Sequence, residues 1–480
     1  MTTNSVEAAF SPDSFRSTAH QVVDTLADYL GRAQRREMPV LELRDPDELL
    51  AAWDRPFAAQ GLQQQGADLS LASLLHQLLT HSNHLHHPGY IGHQISVPIP
   101  DASVLEMVNA LLSNGMAVFE MGQLQTVMER RVVEFLAQTL GFDSDAGGVL
   151  THGGSLGNFT ALLAARQAMA EYDIWTEGQG CPMAVLVSEQ AHYCIARAVQ
   201  SMGWGAKGAW KVRVNSAFQL DASDLQRALK EAQAAGRQVI AVVGSACSTA
   251  TGSFDPLDKI SDFCRDHGLW FHVDGAHGAS LALSTQHRGR LRGIEHADSV
   301  VWDLHKMMGL PALSTAVLFR EQRRSHEAFA QEAGYLFEPQ EASGPWYQLG
   351  LRTMECTKRG MSVTAYCMLQ VLGTDWFAAQ VDRLLELTQT LRDMLTASDD
   401  FELACEPEAN ITCFRHLNGT TGLALDHRQE RVRSRLIAEG QLYIVQTRLA
   451  DATWLRVTVM NPLTTQVEFD LLLDTIRSVE

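Results

Sequence analysis

The chain has 480 residues, more than a single hydrophobic core usually organises, so two or three domains are expected. Its net charge of −18 argues against nucleic acids and anionic membrane surfaces as partners. Eight cysteines occur without CxxC pairs or metal-ligand spacing, which indicates neither a disulfide framework nor a zinc site and favours a reducing compartment. Because no long apolar run and no signal-peptide pattern occurs, a cytoplasmic protein is expected.

The N-terminal part of the chain is predicted to form short helices. Residues 14–36 carry apolar side chains at helical spacing, namely Val22, Val23, Leu26, Tyr29 and Leu30. Proline-containing turns around Pro46 and Pro56 then separate further short helical pieces.

Five histidines lie between His81 and His93, a density that invites comparison with a metal site. Pro88 and Gly89 indicate a turn here, and no cysteine or carboxylate stands nearby at ligand spacing. A polar loop is therefore predicted, and no metal is expected.

A glycine-rich turn precedes a strongly helical segment. Residues 147–150 are predicted to form a strand, Thr-His-Gly-Gly-Ser follows at 151–155, and 159–172 reads as a helix. Glycines just before a helix let backbone N–H groups approach an anion, and the helix dipole adds to the attraction. On this pattern alone an ordinary turn remains the alternative.

Short apolar runs predict further strands at 182–187, 237–244, 269–273, 299–302 and 313–319. Their alternation with helices predicts an α/β fold with a mixed, mostly parallel sheet and helices on both faces. After residue 320 the pattern changes. Residues 360–400 are predicted to be helical, and 401–480 should form a small α/β domain with strands at 411–415, 442–446 and 455–460 and a helix at 466–479.

Asp274 follows one predicted strand, and Lys306 lies in the tight turn between two others. Open α/β sheets bind their ligands at the carboxyl ends of strands. A charged, unpaired lysine in so apolar a setting is costly, so Lys306 should be paired, neutral or covalently used, as in a Schiff base. An aspartate, a lysine and small residues suit pyridoxal 5'-phosphate (PLP), which needs a carboxylate for its pyridine nitrogen and an amine for its aldehyde.

These residues also give the chain a resemblance to a known family. The segments HVDGAHG (272–278), HRGRLRGIEHADSVVWDLHKMMG (287–309), SEQAHYCIARAV (188–199) and YLFEPQ (335–340) resemble the group II PLP-dependent amino-acid decarboxylases. Within that family the glutamate and cysteine-sulfinate decarboxylases are most similar. The resemblance runs from about Leu75 to the C-terminus. It implies a fold type I architecture and decarboxylation of an L-amino acid to its amine and CO2 through an internal aldimine at Lys306.

The resemblance also implies how the cofactor is held. Asp274 would pair with the pyridine nitrogen, and His192 would stack on the ring. Ala276 would lie against the opposite face of the ring. The remaining expected cofactor contacts are the phosphate ligands and one hydroxyl, supplied by Gly154, Ser155, His305 and Ser248.

For the substrate, Arg456 in WLRVTVMNP (454–462) resembles the family's arginine that binds the substrate carboxylate in a bidentate manner. A surface arginine on a strand is the alternative. His93 and Gln94 correspond to a loop that approaches the substrate in the family, often across a dimer interface. The resemblance thus implies a homodimer with its active site near the subunit interface.

The chain departs from the family pattern in several places. In the family, a tyrosine of a mobile loop protonates the substrate carbon after CO2 leaves. Ser343 stands at that position here, so Tyr347 is the candidate proton donor, with Ser343 or a histidine as the alternative. His152 replaces a usual Ser or Pro, and His277 stands where the acidic-substrate branch has an aromatic residue. The amino acid that serves as substrate is therefore not fixed by the sequence.

Two other functions stay open: a PLP enzyme that yields an aldehyde by decarboxylation-dependent transamination or oxidative deamination, and a catalytically silent binding protein. With the resemblance, the predicted domains are a helical dimerisation arm at 1–95, as the family's N-terminal helices imply, a large PLP-binding domain at 96–370 and a small C-terminal domain at 371–480. A helical cap on the same subunit is the alternative for 1–95.

Overall fold

A computed structural model describes residues 3–54, 71–329 and 346–479. The chain divides into two compact units. The first unit comprises Met1–His93, His416–Val457 and Asn461–Glu480, and the second comprises Gln94–Arg415 and Thr458–Met460. None of the described helices combines the length and the apolar composition needed to cross a membrane.

The described residues form helices and strands with the following bounds. The helices are α1 (Thr3–Ala8), α2 (Pro12–Gln34), α3 (Pro46–Trp53), α4 (Leu71–Thr80), α5 (Pro100–Leu112), α6 (Gln123–Thr139), α7 (Gly154–Met169), α8 (Ile174–Glu177), α9 (Tyr193–Ser201), α10 (Leu225–Ala234), α11 (Leu257–His267), α12 (Arg324–Glu327), α13 (Ser362–Leu372), α14 (Thr374–Thr396), α15 (Gly422–Glu439) and α16 (Gln466–Ser478). The strands are β1 (Gly147–Thr151), β2 (Met183–Ser188), β3 (Ala209–Val212), β4 (Gln238–Ser245), β5 (Trp270–Asp274), β6 (Ser299–Asp303), β7 (Thr315–Phe319), β8 (Phe401–Leu403), β9 (Ile411–His416), β10 (Val445–Leu449) and β11 (Ala452–Thr458).

The second unit is built on a seven-stranded sheet with the order β1-β7-β6-β5-β4-β2-β3. Strand β7 runs antiparallel to both of its neighbours, whereas β6, β5, β4, β2 and β3 pair in parallel. The predicted α/β class with a mostly parallel sheet is therefore confirmed. Strand β3 was not predicted, because its four residues Ala-Trp-Lys-Val are too short to form a clear apolar run.

Helices cover both faces of this sheet. Side chains alternate between the faces of a strand, and Val243 of β4 belongs to the buried cluster that contains residues of α7 and α9. At the next position, a Cβ on Gly244 would lie 2.8 Å from Leu257 of α11, on the opposite face. Burial on both faces explains why β5 and β6 are mainly apolar before the aspartate that ends each of them. Their other polar residues, His272 and Ser299, are hydrogen-bonded to each other, with His272 Nδ1 2.9 Å from Ser299 Oγ.

In the first unit, the N-terminal residues pack on C-terminal elements of the same chain. The N–H of Val40 donates to the carbonyl of Gly440 at 2.7 Å, and the N–H of Ile91 donates to that of Tyr443 at 3.2 Å. The rings of Tyr90 and Tyr443 stack with centroids 5.4 Å apart. Residues from Val40 to Ile91 that the structure describes are thus tied to the segment that precedes β10.

The first unit should lose stability in acid because of His87. Its Nδ1 accepts the N–H of Gly89 at 2.9 Å, which requires an unprotonated nitrogen. Burial lowers the pKa of His87 to about 4, whereas an unfolded histidine titrates near 6.5. The unfolded chain therefore gains a proton first, and the folded state loses up to about 3 kcal/mol as the pH falls from 6.5 to 4.

Urea unfolding at several pH values measures this loss. His87→Asn should reduce the dependence of the unfolding free energy on pH between 6.5 and 4, and the part that remains comes from other histidines such as His86, whose pKa burial also lowers to about 4. His427→Asn, a change at an exposed histidine of α15, is the matched control and should keep the wild-type dependence. Equal acid sensitivity in His87→Asn and wild type would contradict the assignment.

Candidate active site

A cavity of about 390 Å³ lies in the second unit, where β5 ends at Asp274 and β6 ends at Asp303. This is the edge of the sheet at which ligands are expected. Its lining residues are His152, Gly153, Gly154, Ser155, Asn158, His192, Cys194, Cys247, Thr249, Asp274, Ala276, His277, Asp303, His305, Lys306 and Leu313. The structure thus brings together seven of the residues selected from the sequence, namely Gly154, Ser155, His192, Asp274, Ala276, His305 and Lys306.

Lys306 forms an ion pair with Asp303. The Nζ atom is 3.0 Å from Asp303 Oδ2, and Asp303 Oδ1 accepts the hydroxyl of Thr315 at 2.6 Å. Burial lowers the pKa of Lys306, but attraction to Asp303 and Asp274 outweighs this effect and leaves the pKa raised. The sequence predicted that Lys306 is paired, neutral or covalently bound, and in the structure it is paired with Asp303.

Asp274 lies between backbone and thiol groups at the end of β5. Its Oδ1 accepts the N–H of Ala276 at 3.3 Å, and its Oδ2 is 4.0 Å from Cys194 Sγ. Burial raises the pKa of the Cys194 thiol, which keeps it protonated beside the carboxylate. Asp274 is 8% exposed and lines the cavity, so a cationic ring nitrogen could contact its carboxylate.

His192 caps the start of α9. Its Nδ1 accepts the N–H of Cys194 at 3.3 Å, and burial lowers the pKa of the imidazole. At neutral pH the ring is therefore uncharged, and the hydrogen bond at Nδ1 fixes its orientation. Such a ring can stack flat on an aromatic cofactor.

The glycine-rich turn at the start of α7 forms a close-packed cradle. Gly153 has φ +90°, and a Cβ on Gly154 would lie 3.0 Å from Asp303 Oδ2. Asn158 Nδ2 donates to the carbonyl of Gly154 at 2.8 Å, and Asn158 Oδ1 lies 2.8 Å from Nε2 of His272. The backbone N–H groups that open this 16-residue helix are thus fixed at the cavity wall, where an anion is favoured.

Two predicted cofactor contacts have partners within the protein. His305 lines the cavity, and its Nδ1 is 2.8 Å from the carbonyl of Ser314. Ser248 is not among the lining residues, and its Oγ lies 2.7 Å from Thr251 Oγ1. Its neighbours Cys247 and Thr249 line the cavity instead.

The predicted substrate residues and proton donor are not among the described lining residues. Tyr347 packs against Phe119, with ring centroids 5.3 Å apart. Gln94 belongs to the second unit, and His93 and Arg456 belong to the first. Ser343 and the YLFEPQ segment lie outside the described residues.

Two carboxylates of this region did not emerge from the sequence. Asp303 ends a buried strand three residues before Lys306, so the pattern that identified Asp274 could also have found it. Glu355 Oε1 is 2.8 Å from His152 Nδ1, although 203 positions separate the two residues. No local pattern indicates a pairing over that distance.

Comparisons with known proteins agree with this geometry. The model of the pyridoxal-dependent decarboxylase conserved domain matches residues 69–417. The chain is 28% identical over 452 residues to the cysteine sulfinic acid decarboxylase of Mus musculus, covering 90% of both chains. The crystal structure of mouse CSAD aligns with a TM-score of 0.89 at 25% identity, over 98% of this chain and 99% of the mouse chain.

A second solved structure is the glutamate decarboxylase domain of a diaminobutyrate-pyruvate transaminase and L-2,4-diaminobutyrate decarboxylase from Vibrio parahaemolyticus. It aligns with a TM-score of 0.83 at 25% identity, over 97% of this chain and 95% of that chain. These likenesses confirm the predicted fold type I architecture. Because the family model covers most of its length, the chain belongs to the pyridoxal-dependent decarboxylases.

Proposed function

We propose that this enzyme removes the α-carboxyl group of an L-amino acid and releases the corresponding amine and CO2, with Lys306 as the residue that binds the cofactor's aldehyde. Its class is a PLP-dependent carboxy-lyase, and PLP is its cofactor. The observation that carries the proposal is the Lys306 amine, held 3.0 Å from Asp303 in the cavity that Asp274 also lines.

The lining residues fit PLP. The close approach of Gly154 to Asp303 leaves no room for a side chain where the phosphate would meet the helix N-terminus. One anion cradle, one amine and one buried carboxylate are the three groups that PLP requires. Bound there, PLP would supply an electron sink for the bond that breaks.

Each lining residue then has a defined task. Asp274 would hold a proton on the pyridine nitrogen, and Ser155 and His305 would bind the phosphate with Gly154. His192 and Ala276 would restrict the ring from its two faces. The Ser248 hydroxyl is hydrogen-bonded to the Thr251 hydroxyl. Ser248 would therefore act on the cofactor indirectly.

For the substrate we propose Arg456 as the ligand of the carboxylate and His93 and Gln94 as contacts to its distal end. Support for these roles comes from the resemblance of WLRVTVMNP and of the loop after residue 90. The Nε2 atom of Gln94 is buried, and no hydrogen-bond partner is found for it among the described residues. It could therefore donate to a bound ligand.

A homodimer is part of this proposal. Helix α5 exposes apolar side chains, namely Val104, Met107, Val108, Leu111 and Leu112, of which Leu111 is 67% exposed. Helix α2 likewise exposes Phe15, Val23 and Leu26. Apolar faces of this kind favour burial against a partner, and the face of α2 supports the assignment of residues 1–95 as a dimerisation arm, whereas α5 lies beyond that range.

The substrate can be found by measuring CO2 release from aspartate, glutamate, cysteine sulfinate, 2,4-diaminobutyrate and the aromatic amino acids, together with the amine or aldehyde formed. Amine from one of these would support the proposal. Aldehyde would favour the diverted reaction, which the serine at 343 makes the second candidate. Absence of CO2 from every amino acid would overturn the proposed function.

Lys306→Ala should abolish turnover and the visible absorbance of covalently held PLP, because the amine is lost. Because Lys306→Ala also leaves Asp303 without its partner, Lys306→Arg should be measured beside it. Arginine keeps a cation beside Asp303 but cannot condense with an aldehyde. Both variants should be inactive, and Lys259→Ala, at an exposed lysine, should match wild type. Turnover by either Lys306 variant would rule out this assignment.

Asp274→Asn should retain some PLP but lower the rate by orders of magnitude, because a neutral amide does not stabilise a pyridinium charge. The check is a comparison of kcat with the cofactor content of the purified variant. A near wild-type kcat at full PLP content would mean that the ring nitrogen is not the electron sink.

A further inference from the structure

His152 and Glu355 form a hydrogen-bonded pair at the wall of the cavity. His152 Nδ1 is 2.8 Å from Glu355 Oε1, and the two side chains are 31% and 22% exposed. Since an ionised carboxylate only accepts, the hydrogen between them belongs to Nδ1. The other ring nitrogen, Nε2, is then the one available to a reactant, and no hydrogen bond to it is found within the described part of the chain.

Glu355 is itself held from several sides. Thr151 Oγ1 donates to its Oε1 at 3.4 Å, and Thr353 Oγ1 donates to its backbone carbonyl at 2.8 Å. Three residues further on, the buried Lys358 donates to Glu129 and to the carbonyl of Leu150. The end of β1 and the segment that carries Glu355 are therefore fixed to each other, and with them the orientation of the imidazole.

Decarboxylation to an amine needs one proton. The electron pair of the broken carbon–carbon bond stays on the substrate carbon when CO2 leaves, and a proton must join it to form the new C–H bond. The reaction is thus amino acid plus H⁺ to amine plus CO2. A histidine in its imidazolium form can supply this proton from Nε2, keep the hydrogen on Nδ1 that faces the carboxylate, and regain the lost proton from solvent.

The other side chains of the cavity wall that could donate a proton have partners within the protein. Lys306 is paired with Asp303, and His192 uses Nδ1 for Cys194 and has a lowered pKa. His277 Nε2 lies 2.6 Å from Asn410 Oδ1. His305 Nδ1 is 2.8 Å from the Ser314 carbonyl, and its Nε2 lies 3.7 Å from Asp303 Oδ2, beyond hydrogen-bond distance. Among the four histidines that line the cavity in the described residues, His152 therefore has the hydrogen bond to a carboxylate, the arrangement that orients an acid–base histidine.

We propose that His152, oriented by Glu355, is the proton donor to the substrate carbon that has lost CO2. The inference rests on the proposed decarboxylation and deepens it. It assigns to His152 the task predicted for Tyr347, whose ring packs against Phe119.

The test compares variants of the PLP-loaded enzyme on the best substrate of the amino-acid screen. His152→Gln keeps a donor for Glu355 but has no titratable proton. It should lower amine formation about 100-fold, and the amine yield per CO2 released should fall, while the Kd for PLP stays within about twofold. His296→Gln, at an exposed histidine, is the matched control and should behave as wild type.

Three results would overturn the proposal. The first is an unchanged amine yield and rate in His152→Gln. The second is a large loss of PLP affinity with an unchanged amine yield, which would make His152 part of the anion cradle. The third is a fall in amine yield in Tyr347→Phe alone. CO2 release with normal amine yield in His152→Gln rejects only this inference, whereas absence of CO2 from wild type rejects the proposed function.

A second measurement does not depend on turnover. Nitrogen-15 NMR of histidine-labelled, PLP-loaded enzyme reports which ring nitrogen of His152 carries the hydrogen, and the signal is identified by its loss in His152→Gln. In the neutral ring, before it takes up the proton that it donates, the hydrogen should be on Nδ1 in wild type and should move to Nε2 in Glu355→Leu. The same tautomer in both proteins would show that Glu355 does not orient the ring.

Discussion

The ion pair between Lys306 and Asp303 is the constraint on which the cavity depends. Asp303 is 1% exposed, so an ionised carboxylate without its partner would cost several kcal/mol. The two groups are therefore stable when charged together or neutral together. Any covalent bond made by Lys306 must then leave a proton on its nitrogen or transfer one to Asp303. A lysine that binds an aldehyde gains from this arrangement, because the carboxylate keeps the nitrogen protonated and the attached carbon electrophilic.

The ion pair between Lys306 and Asp303 depends on the antiparallel direction of strand β7. Strand β7 runs antiparallel to β6, and their register places Thr315 directly opposite Asp303. The hydroxyl of Thr315 can therefore donate to the carboxylate that ends β6. Between the two strands the chain turns back on itself, and the N–H of Leu304 donates to the carbonyl of Ser314 at 2.9 Å. This turn returns Lys306 to the carboxylate three residues before it. A parallel β7 would need a long crossover here, and the compact turn would be lost.

The features that could be predicted from the sequence are those that depend on a local pattern of residues. Strands buried on both faces are mainly apolar runs, and from these runs Asp274 was selected at the end of one strand and Lys306 in the turn after another. Two features of the site could not be fixed by a local pattern, for physical reasons. Ser248 and its neighbours Cys247 and Thr249 lie in one irregular turn, where a shift of one residue decides which side chain faces the cavity. No periodicity fixes that choice. Glu355 reaches His152 only through the folding of a segment more than two hundred positions away.

The charges of the cavity explain why the site is completed by a cofactor. Among the described lining residues, two carboxylates, Asp274 and Asp303, face one lysine, and that lysine is paired with Asp303. Asp274 therefore needs a further cation, which a protonated pyridine ring provides without a second basic side chain. The phosphate of the same molecule would meet the positive end of α7, so each charged group of PLP has a counterpart. A substrate carboxylate then finds no unpaired cation among these lining residues. Its ligand must come from outside them, which separates binding of the carboxylate from the groups that hold the cofactor.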